Sequence, residues 1–241
     1  KEFKLFATVS RNDFGGTTIT FPKRFHTQAI KRLECVALHV LHRLDPERKD
    51  ANILNRFTEA VIDNIRHSLA QIDPSDFDAA CALIADTARP VHIVGGRISH
   101  TMAEYLYLHM QIIRPGVTHI QSTSNTWPHY LLDAGEGDVF VIFDMRRYEN
   151  NTLKLAEIAR ARGAKIVLFT DQWRSPIHTL ADICLSCRIV VPSAWDSSAT
   201  PLLLIETMIA AVQDLLWADT RHRMEVLEEM FDQTKLFRKF T

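Results

Sequence analysis

No apolar run in the sequence approaches the roughly 20 residues that a membrane-crossing helix needs, so no such helix is expected. Neither sign of charge is in excess. Lys and Arg total 28 against 29 Asp and Glu, a net charge of −1, which removes any global electrostatic case for nucleic-acid binding by this stretch of chain. Cysteine is scarce: Cys35, Cys81, Cys184 and Cys187 are four in 241 residues, a usage that suits a reducing compartment, so a cytoplasmic protein is expected. Cys184-Leu-Ser-Cys187 lies in "ADICLSCRIVV", which reads as extended, and a separation of three on a strand puts the two thiols on opposite faces. No second cysteine pair or histidine cluster completes a zinc set, so no metal is expected. A secretory signal is not recognisable at the start, and there is no internal repeat and no low-complexity segment. The P-loop pattern is absent, and the dinucleotide fingerprint lacks its third glycine, so no nucleotide cofactor is expected.

What is present is a core. A 46% hydrophobic and 24% charged composition is that of a globular chain able to bury one. Residues 1–28 combine Gly-Gly, Pro and scattered aromatics and read as irregular, a locally basic connector or short extended arm. Helical spacing runs from Ile30 to Leu44. A second stripe, Leu54, Phe57, Val61, Ile65, Leu69 and Ile72, predicts a helix over 52–71, and a third helix covers Ser75 to Thr87, with Pro74 in its first turn.

From residue 90 the grammar changes. "PVHIVGG", "GVTHI", "DVFVIF", "AKIVLFT" and "DICLSCRIVV" are short apolar runs, separated by the helical segments "SHTMAEYLYLHMQII", "NTWPHYLLDAG" and "NNTLKLAEIARARG" and the shorter "SPIHTLA". Gly163 is the expected helix C-cap. Continuous apolar strands alternating with helices predict an α/β fold, a doubly wound parallel sheet of about five strands covered on both faces. "ATPLLLIETMIAAVQDLLWA" carries apolar residues at 202–205, 208, 209, 212, 215 and 216, a stripe wider than one buried face uses. It is expected to pack on the sheet and on a second copy of the chain, with the 52–71 helix joining the dimer contact. Cover by helices of the same chain is the competing explanation.

Two loops carry the candidate chemistry. Gly95-Gly96-Arg97-Ile98-Ser99 joins a strand to a helix. Glycines admit close approach, backbone N–H groups point outward, and the helix start is electropositive, so Gly95, Gly96, Arg97 and Ser99 are candidate anion-binding residues. The structural alternative is a tight turn with Ser99 as helix cap. The second loop is "FDMRRY". Asp144, Arg146 and Arg147 lie at the carboxyl end of a strand, where α/β sheets bind ligands. Two guanidiniums can hold a carboxylate or phosphate by forked hydrogen bonds, with Asp144 orienting one of them. A structural ion cluster is the alternative. Ser197 and Ser198, before the last apolar helix, are candidate hydroxyl donors, and Ser198 is also a candidate cap. Asp171, at the end of "FTD", could line the crevice, and Trp127 could stack on a ligand ring or belong to the core.

The order strand-"GGRIS"-helix, "GDVFVIF", "LAEIARARGAKIVLFTD", "SPIHTLADICL" and a final apolar helix resembles a sugar isomerase (SIS) domain. The segment "LNRFTEAVIDNIRHSLAQIDPSDFDAACALIADTARPVHIVGG" resembles the lead-in to the SIS domain of RpiR/MurR-type transcriptional regulators. "KEFKL", with no initiator Met, looks like the end of that family's helix-turn-helix domain. The resemblance implies residues 1–28 as linker and remnant of the DNA-binding domain, 29–89 as helical dimerisation segment, 90–218 as SIS effector domain and 219–241 as C-terminal helix. It also implies a homodimer that binds DNA through an upstream helix-turn-helix and senses a small anionic metabolite, a sugar phosphate or sugar acid. In the family a Ser-x-Ser-Gly-x-Thr loop holds the phosphate. Counted back from Gly163, Asp144 and Arg146 take the two serine positions, Arg147 the glycine position and Glu149 the threonine position, with Thr152 one turn on.

SIS domains also occur in aldose–ketose isomerases, the alternative function. An isomerase needs a general base at the C1–C2 proton, for which Glu104, Glu206, His100 and His178 are the candidates. No constellation of them stands out, and a non-enzymatic sensor is the expectation.

Overall fold

The computed structural model describes residues 52–235 and Phe237, together with strands Thr8–Arg11 and Thr17–Thr20. The helix expected over Ile30 to Leu44 lies outside the described residues. The chain divides into two compact units, 1–60 with 191–196, and 61–190 with 197–241.

In the first unit, β1 (Thr8–Arg11) pairs antiparallel with β2 (Thr17–Thr20), Thr8 opposite Thr20. The sequence reading of 1–28 as irregular is corrected here. "TVSR" and "TTIT" are rich in β-branched residues, which suit strands.

The chain continues through α1 (Ile53–Leu69) and α2 (Pro74–Ala85) into β3 (Val91–Gly95), α3 (His100–Ile113), β4 (Val117–Ile120), α4 (Trp127–Leu132), β5 (Val139–Phe143), α5 (Asn150–Ala161), β6 (Lys165–Asp171), β7 (Ile183–Cys187), α6 (Ala199–Leu215) and α7 (Trp217–Thr234). Short 3-10 turns occupy Ser124–Thr126 and Pro176–Thr179, the second replacing the short helix expected from "SPIHTLA". All five strands of the sheet are parallel, in the order β4-β3-β5-β6-β7. This is the doubly wound α/β fold expected from the alternating pattern.

β3 and β5 are buried along their whole length, which is why "VHIVG" and "VFVIF" show no polar alternation. Their side chains divide between two cores. Ile93, Val141, Phe143 and Phe169 join Leu106 and Met110 of α3 and Leu204, Ile205 and Met208 of α6 on one face. Val94, Phe140, Ile142 and Leu168 join Leu155 and Ala159 of α5 and Trp127 of α4 on the other. Trp127 is therefore a core residue, its indole N–H donating to the Gln121 carbonyl at 2.6 Å. Cys187 belongs to the first face and Cys184 packs on the second, as a separation of three on a strand dictates. Among the described residues no cluster could hold a metal ion, and no single helix is long and apolar enough to cross a membrane.

The helices keep their sequence signals. Asp73 caps α2 by accepting the Ser75 N–H at 2.9 Å, with Pro74 in the first turn. Gly163 follows α5 with φ of 86°, the left-handed geometry of a C-terminal cap. Intrachain packing takes up Leu204, Ile205, Met208, Ile209 and Val212 of the wide α6 stripe, leaving Leu215 exposed. On α1 the buried residues are polar. Asn64 donates to the Val190 carbonyl, and the Ser68 hydroxyl accepts the Arg188 N–H, both at 2.8 Å. β7 is an edge strand, and the backbone running on from it needs hydrogen-bond partners more than apolar cover. The apolar stripe of α1 is only partly covered, with Leu54 and Leu69 exposed.

Arg114 is the largest fully buried side chain and ends α3. Its guanidinium donates to the carbonyls of Ile84, Asp86, Arg89 and Pro115, so it closes the α2 C-terminus and the turn into β3. Burial lowers its pKa, with Asp86 opposing that shift. Arg114→Met keeps volume but leaves these carbonyls unpaired, and should lower stability by about 3 kcal/mol. A urea midpoint unchanged from the native chain would refute this role.

Candidate functional site

The strand order reverses between β3 and β5, because the chain steps out to β4 and returns on the other side of β3. A crevice forms at the carboxyl ends of two such strands, where the following helices depart to opposite faces. The loops there are Gly96–Ser99 and Asp144–Glu149, so the topology brings the two sequence-predicted loops side by side.

Gly95 has no room for a side chain. A Cβ there would lie 2.6 Å from the Ser99 carbonyl and the His100 nitrogen. The chain therefore turns directly from strand to helix. The Gly96 N–H donates to Ser99 Oγ at 2.9 Å, and the Ser99 hydroxyl donates to the Phe143 carbonyl at 2.8 Å. Ser99 occupies the cap position of α3 but makes no side-chain cap bond; it clamps the loop to β5 instead. The Arg97 N–H points across the crevice and donates to Glu149 Oε1 at 2.9 Å. The Arg97 side chain is exposed.

The second loop has an acidic floor. Asp144 is 2% exposed, its carboxylate accepting the Ser175 hydroxyl and a backbone hydrogen bond from Glu149. Burial pushes its pKa up to about 6 against those hydrogen bonds, with Glu149 and Asp171 adding repulsion. Asp171 is fully buried at the end of β6. It accepts the Tyr148 hydroxyl at 2.6 Å, the Arg146 N–H at 2.6 Å and the Trp173 N–H at 2.9 Å. Burial raises the Asp171 pKa, and burial together with the Asp171 contact raises that of Tyr148.

The arginines form the rim. Arg146 lies over the Trp173 ring, 5.4 Å from its centroid. Arg147 is exposed and takes a left-handed backbone, φ 68°. Arg174, on the neighbouring loop after β6, does the same with φ 58°. The Asp144 carboxylate is held by Ser175 and Glu149, while the Arg146 charge acts on Asp171, lowering its pKa against burial. The Thr152 hydroxyl, in the first turn of α5, is buried with no partner.

Ser197 and Ser198 stand at the start of α6. Ser197 is buried, its hydroxyl accepting the Ala199 N–H at 3.2 Å and its own N–H donating to the Ile189 carbonyl at 2.9 Å. Ser198 is exposed at the α6 cap position without a capping bond. Sequence reasoning missed Tyr148, Trp173, Arg174 and Ser175. Three of these lie in the loop after β6, and their one available signal was Asp171 at that strand's carboxyl end.

Comparison with known proteins now adds identity to geometry. The SIS domain family model matches residues 86–211, just over half of the chain. The chain belongs to the SIS domain family. Its fold is similar to that of the sugar isomerase domain of an RpiR transcription factor from Sphaerobacter thermophilus, at 20% identity and a TM-score of 0.68 over 73% of this chain and 97% of that one. It is also similar to the Vibrio vulnificus NanR protein complexed with ManNAc-6P, at 14% identity and a TM-score of 0.64 over 82% of this chain and 74% of that one. A phosphoheptose isomerase from Francisella tularensis matches at 14% identity and a TM-score of 0.54, over 67% and 96%. No curated protein matches the SIS chain in sequence.

Two measurements test this geometry. Arg147 stands in a backbone conformation that glycine adopts freely, so Arg147→Gly should raise stability by about 1 kcal/mol, read as a higher urea midpoint. A lower midpoint would show that the Arg147 side chain contributes more than the strain removes. Asp144, with a raised pKa, favours folding below the unfolded carboxylate range, and that contribution is lost as pH rises through about 6. Asp144→Asn cannot ionise. The stability of the native chain relative to this variant should therefore fall by about 2–3 kcal/mol between roughly pH 4 and pH 8. A pH-independent difference would mean that Asp144 ionises normally.

Proposed function

We propose that this SIS domain is the effector-sensing and dimerising part of a bacterial transcriptional regulator of the RpiR type, whose DNA-binding head is a helix-turn-helix. Its ligand is a small, anionic, carbohydrate-derived metabolite seated between the Gly95–Ser99 and Asp144–Glu149 loops. The observation that carries this is the crevice rim. Arg146 lies over Trp173, and Arg147 and Arg97 are exposed on the two loops, which supplies guanidiniums for an acidic group. The RpiR transcription factor and NanR with ManNAc-6P share the fold over most of the chain, which supports a regulator. The partly covered apolar face of α1 supports a second copy as partner. Ligand preference for one dimer arrangement would shift the spacing of the DNA-binding heads and so operator affinity.

The shared fold extends to isomerases, so fold does not decide between sensor and enzyme. The candidate bases favour a sensor, because three of the four have contacts of their own within the chain. The His100 ring stacks on His119, with ring centroids 4.6 Å apart. Glu206 accepts the Tyr105 hydroxyl at 3.3 Å, and His178 Nδ1 lies 2.9 Å from the Ser175 carbonyl. Glu104 is exposed on α3.

A thermal-shift screen against sugar phosphates, parent sugars and sugar acids tests the proposal. A ligand should raise the melting temperature with dose by mass action, and Arg146→Ala or Arg147→Ala should abolish the shift. No shift across the panel would reject the sensor, and conversion of a sugar phosphate would replace it with the isomerase.

A further inference from the structure

The anion seat of the glycine loop is already taken. At the start of α3 the Gly96 N–H is held by Ser99 Oγ, and the His100 N–H donates to the Gly96 carbonyl at 2.7 Å. The Arg97 N–H is the donor aimed across the crevice, and its acceptor is a carboxylate of the chain itself, Glu149 Oε1, at 2.9 Å. The same oxygen would lie 3.1 Å from a Cβ on Gly96, so the carboxylate lies close against the loop backbone. A loop amide at the N-terminal end of a helix favours an anion. Here that anion is supplied internally, from the residue that begins α5.

The surroundings make this more than a spare contact. Directly beneath Glu149 is the Asp144 carboxylate, which accepts the Glu149 N–H and is repelled by the Glu149 charge. Asp171 is a further buried carboxylate beside Asp144. A phosphoryl group entering at the glycine loop would lose the Arg97 N–H to Glu149 and meet acidic groups at close range. The guanidiniums that could compensate lie on the rim, with Arg146 over Trp173 and Arg147 exposed. Like charges at contact distance in a half-buried crevice repel strongly, whereas a hydroxyl or ammonium group would find an acceptor in Glu149.

We infer that Glu149 is a specificity-determining residue that occupies the glycine-loop anion seat and excludes phosphoryl groups from it, so that the ligand presents hydroxyl or amino groups there and carries any acidic group at the arginine rim. This rests on the ligand reading of the two loops and narrows its class to an anionic sugar derivative, such as a sugar acid, whose acidic group does not sit at the glycine loop.

Inorganic phosphate is the probe, titrated by calorimetry in a low-salt, phosphate-free buffer into the native chain, Glu149→Ala and Glu149→Gln. Glu149→Ala frees the Arg97 donor and removes the charge, whereas Glu149→Gln removes only the charge. The expected order of affinity is Ala, then Gln, then native, with Glu149→Ala binding at least about tenfold more tightly than the native chain. Glu149→Gln keeps an acceptor for the Arg97 N–H and so guards against a misfolded alanine variant. Native binding as tight as that of both variants would overturn the inference, as would variants that fold and bind no phosphate. The sensor proposal fails separately, if no sugar-derived ligand stabilises the native chain.

Discussion

Everything at the carboxyl edge of this sheet hangs on one side-chain bridge. Ser99 Oγ accepts the Gly96 N–H, and its hydroxyl donates a hydrogen bond to the Phe143 carbonyl, so the end of β3 is tied to the end of β5. These are the two strands between which the strand order reverses. The bridge reinforces the backbone there, since Gly95 pairs with Phe143 in the sheet and the Gly96 N–H also reaches the Phe143 carbonyl at 3.3 Å. Beyond it, the Arg97 N–H is held by Glu149. Gly95 is the other half of the constraint, since its missing Cβ lets α3 begin directly against the strand. A cap position that makes no capping bond follows from this: the hydroxyl is used between strands rather than along the helix.

The second loop is organised from below. Asp144 and Asp171 end adjacent strands and are both buried, at a cost that their hydrogen bonds offset. Asp171 gathers the Arg146 and Trp173 amides and the Tyr148 hydroxyl. Asp144 gathers Ser175 and the Glu149 amide. Each carboxylate thus fixes a loop residue whose neighbours stand at the surface. Arg147 is exposed and accepts a left-handed backbone to complete the turn, while the half-buried Arg146 lies over Trp173 and its charge acts on Asp171. An acidic floor under a cationic rim separates charge along the depth of the crevice, which a simple double-arginine anion site would not do.

The fold was legible because parallel strands buried on both faces write themselves as unbroken apolar runs, and "VFVIF" or "KIVLF" has few alternatives once helical periods flank it. Gly163 and Asp73-Pro74 marked helix ends through local chemistry that needs no tertiary context. The hairpin of β1 and β2 was hidden because its strands are only four residues each, among aromatics, Pro and Gly. On α1 the apolar stripe drew attention away from Asn64 and Ser68, whose use depends on an edge strand more than a hundred residues later. The site was half legible for the same reason. Strand-end loops announce themselves, yet Glu149 meets Arg97 across 52 residues, and Ser175 meets Asp144 across 31. Such pairings follow from strand order, which a pattern along the chain does not encode residue by residue.

Glu149 also joins the crevice to the rest of the fold. It is the residue at which the second loop becomes α5, and α5 packs Leu155, Ala156 and Ala159 into the core on its face of the sheet. α3, which begins at the glycine loop, packs on the opposite face against α6 and α7. The contact from the Glu149 carboxylate to the Arg97 amide is therefore a link between elements on opposite sides of the sheet. Closely packed cores shift as units more readily than they deform. A ligand that draws on Glu149 would change the spacing of two helix starts at once, while one held only by the rim arginines would leave that spacing alone. The group that sets ligand chemistry is then also the group through which binding would reach the α3, α6 and α7 side of the fold.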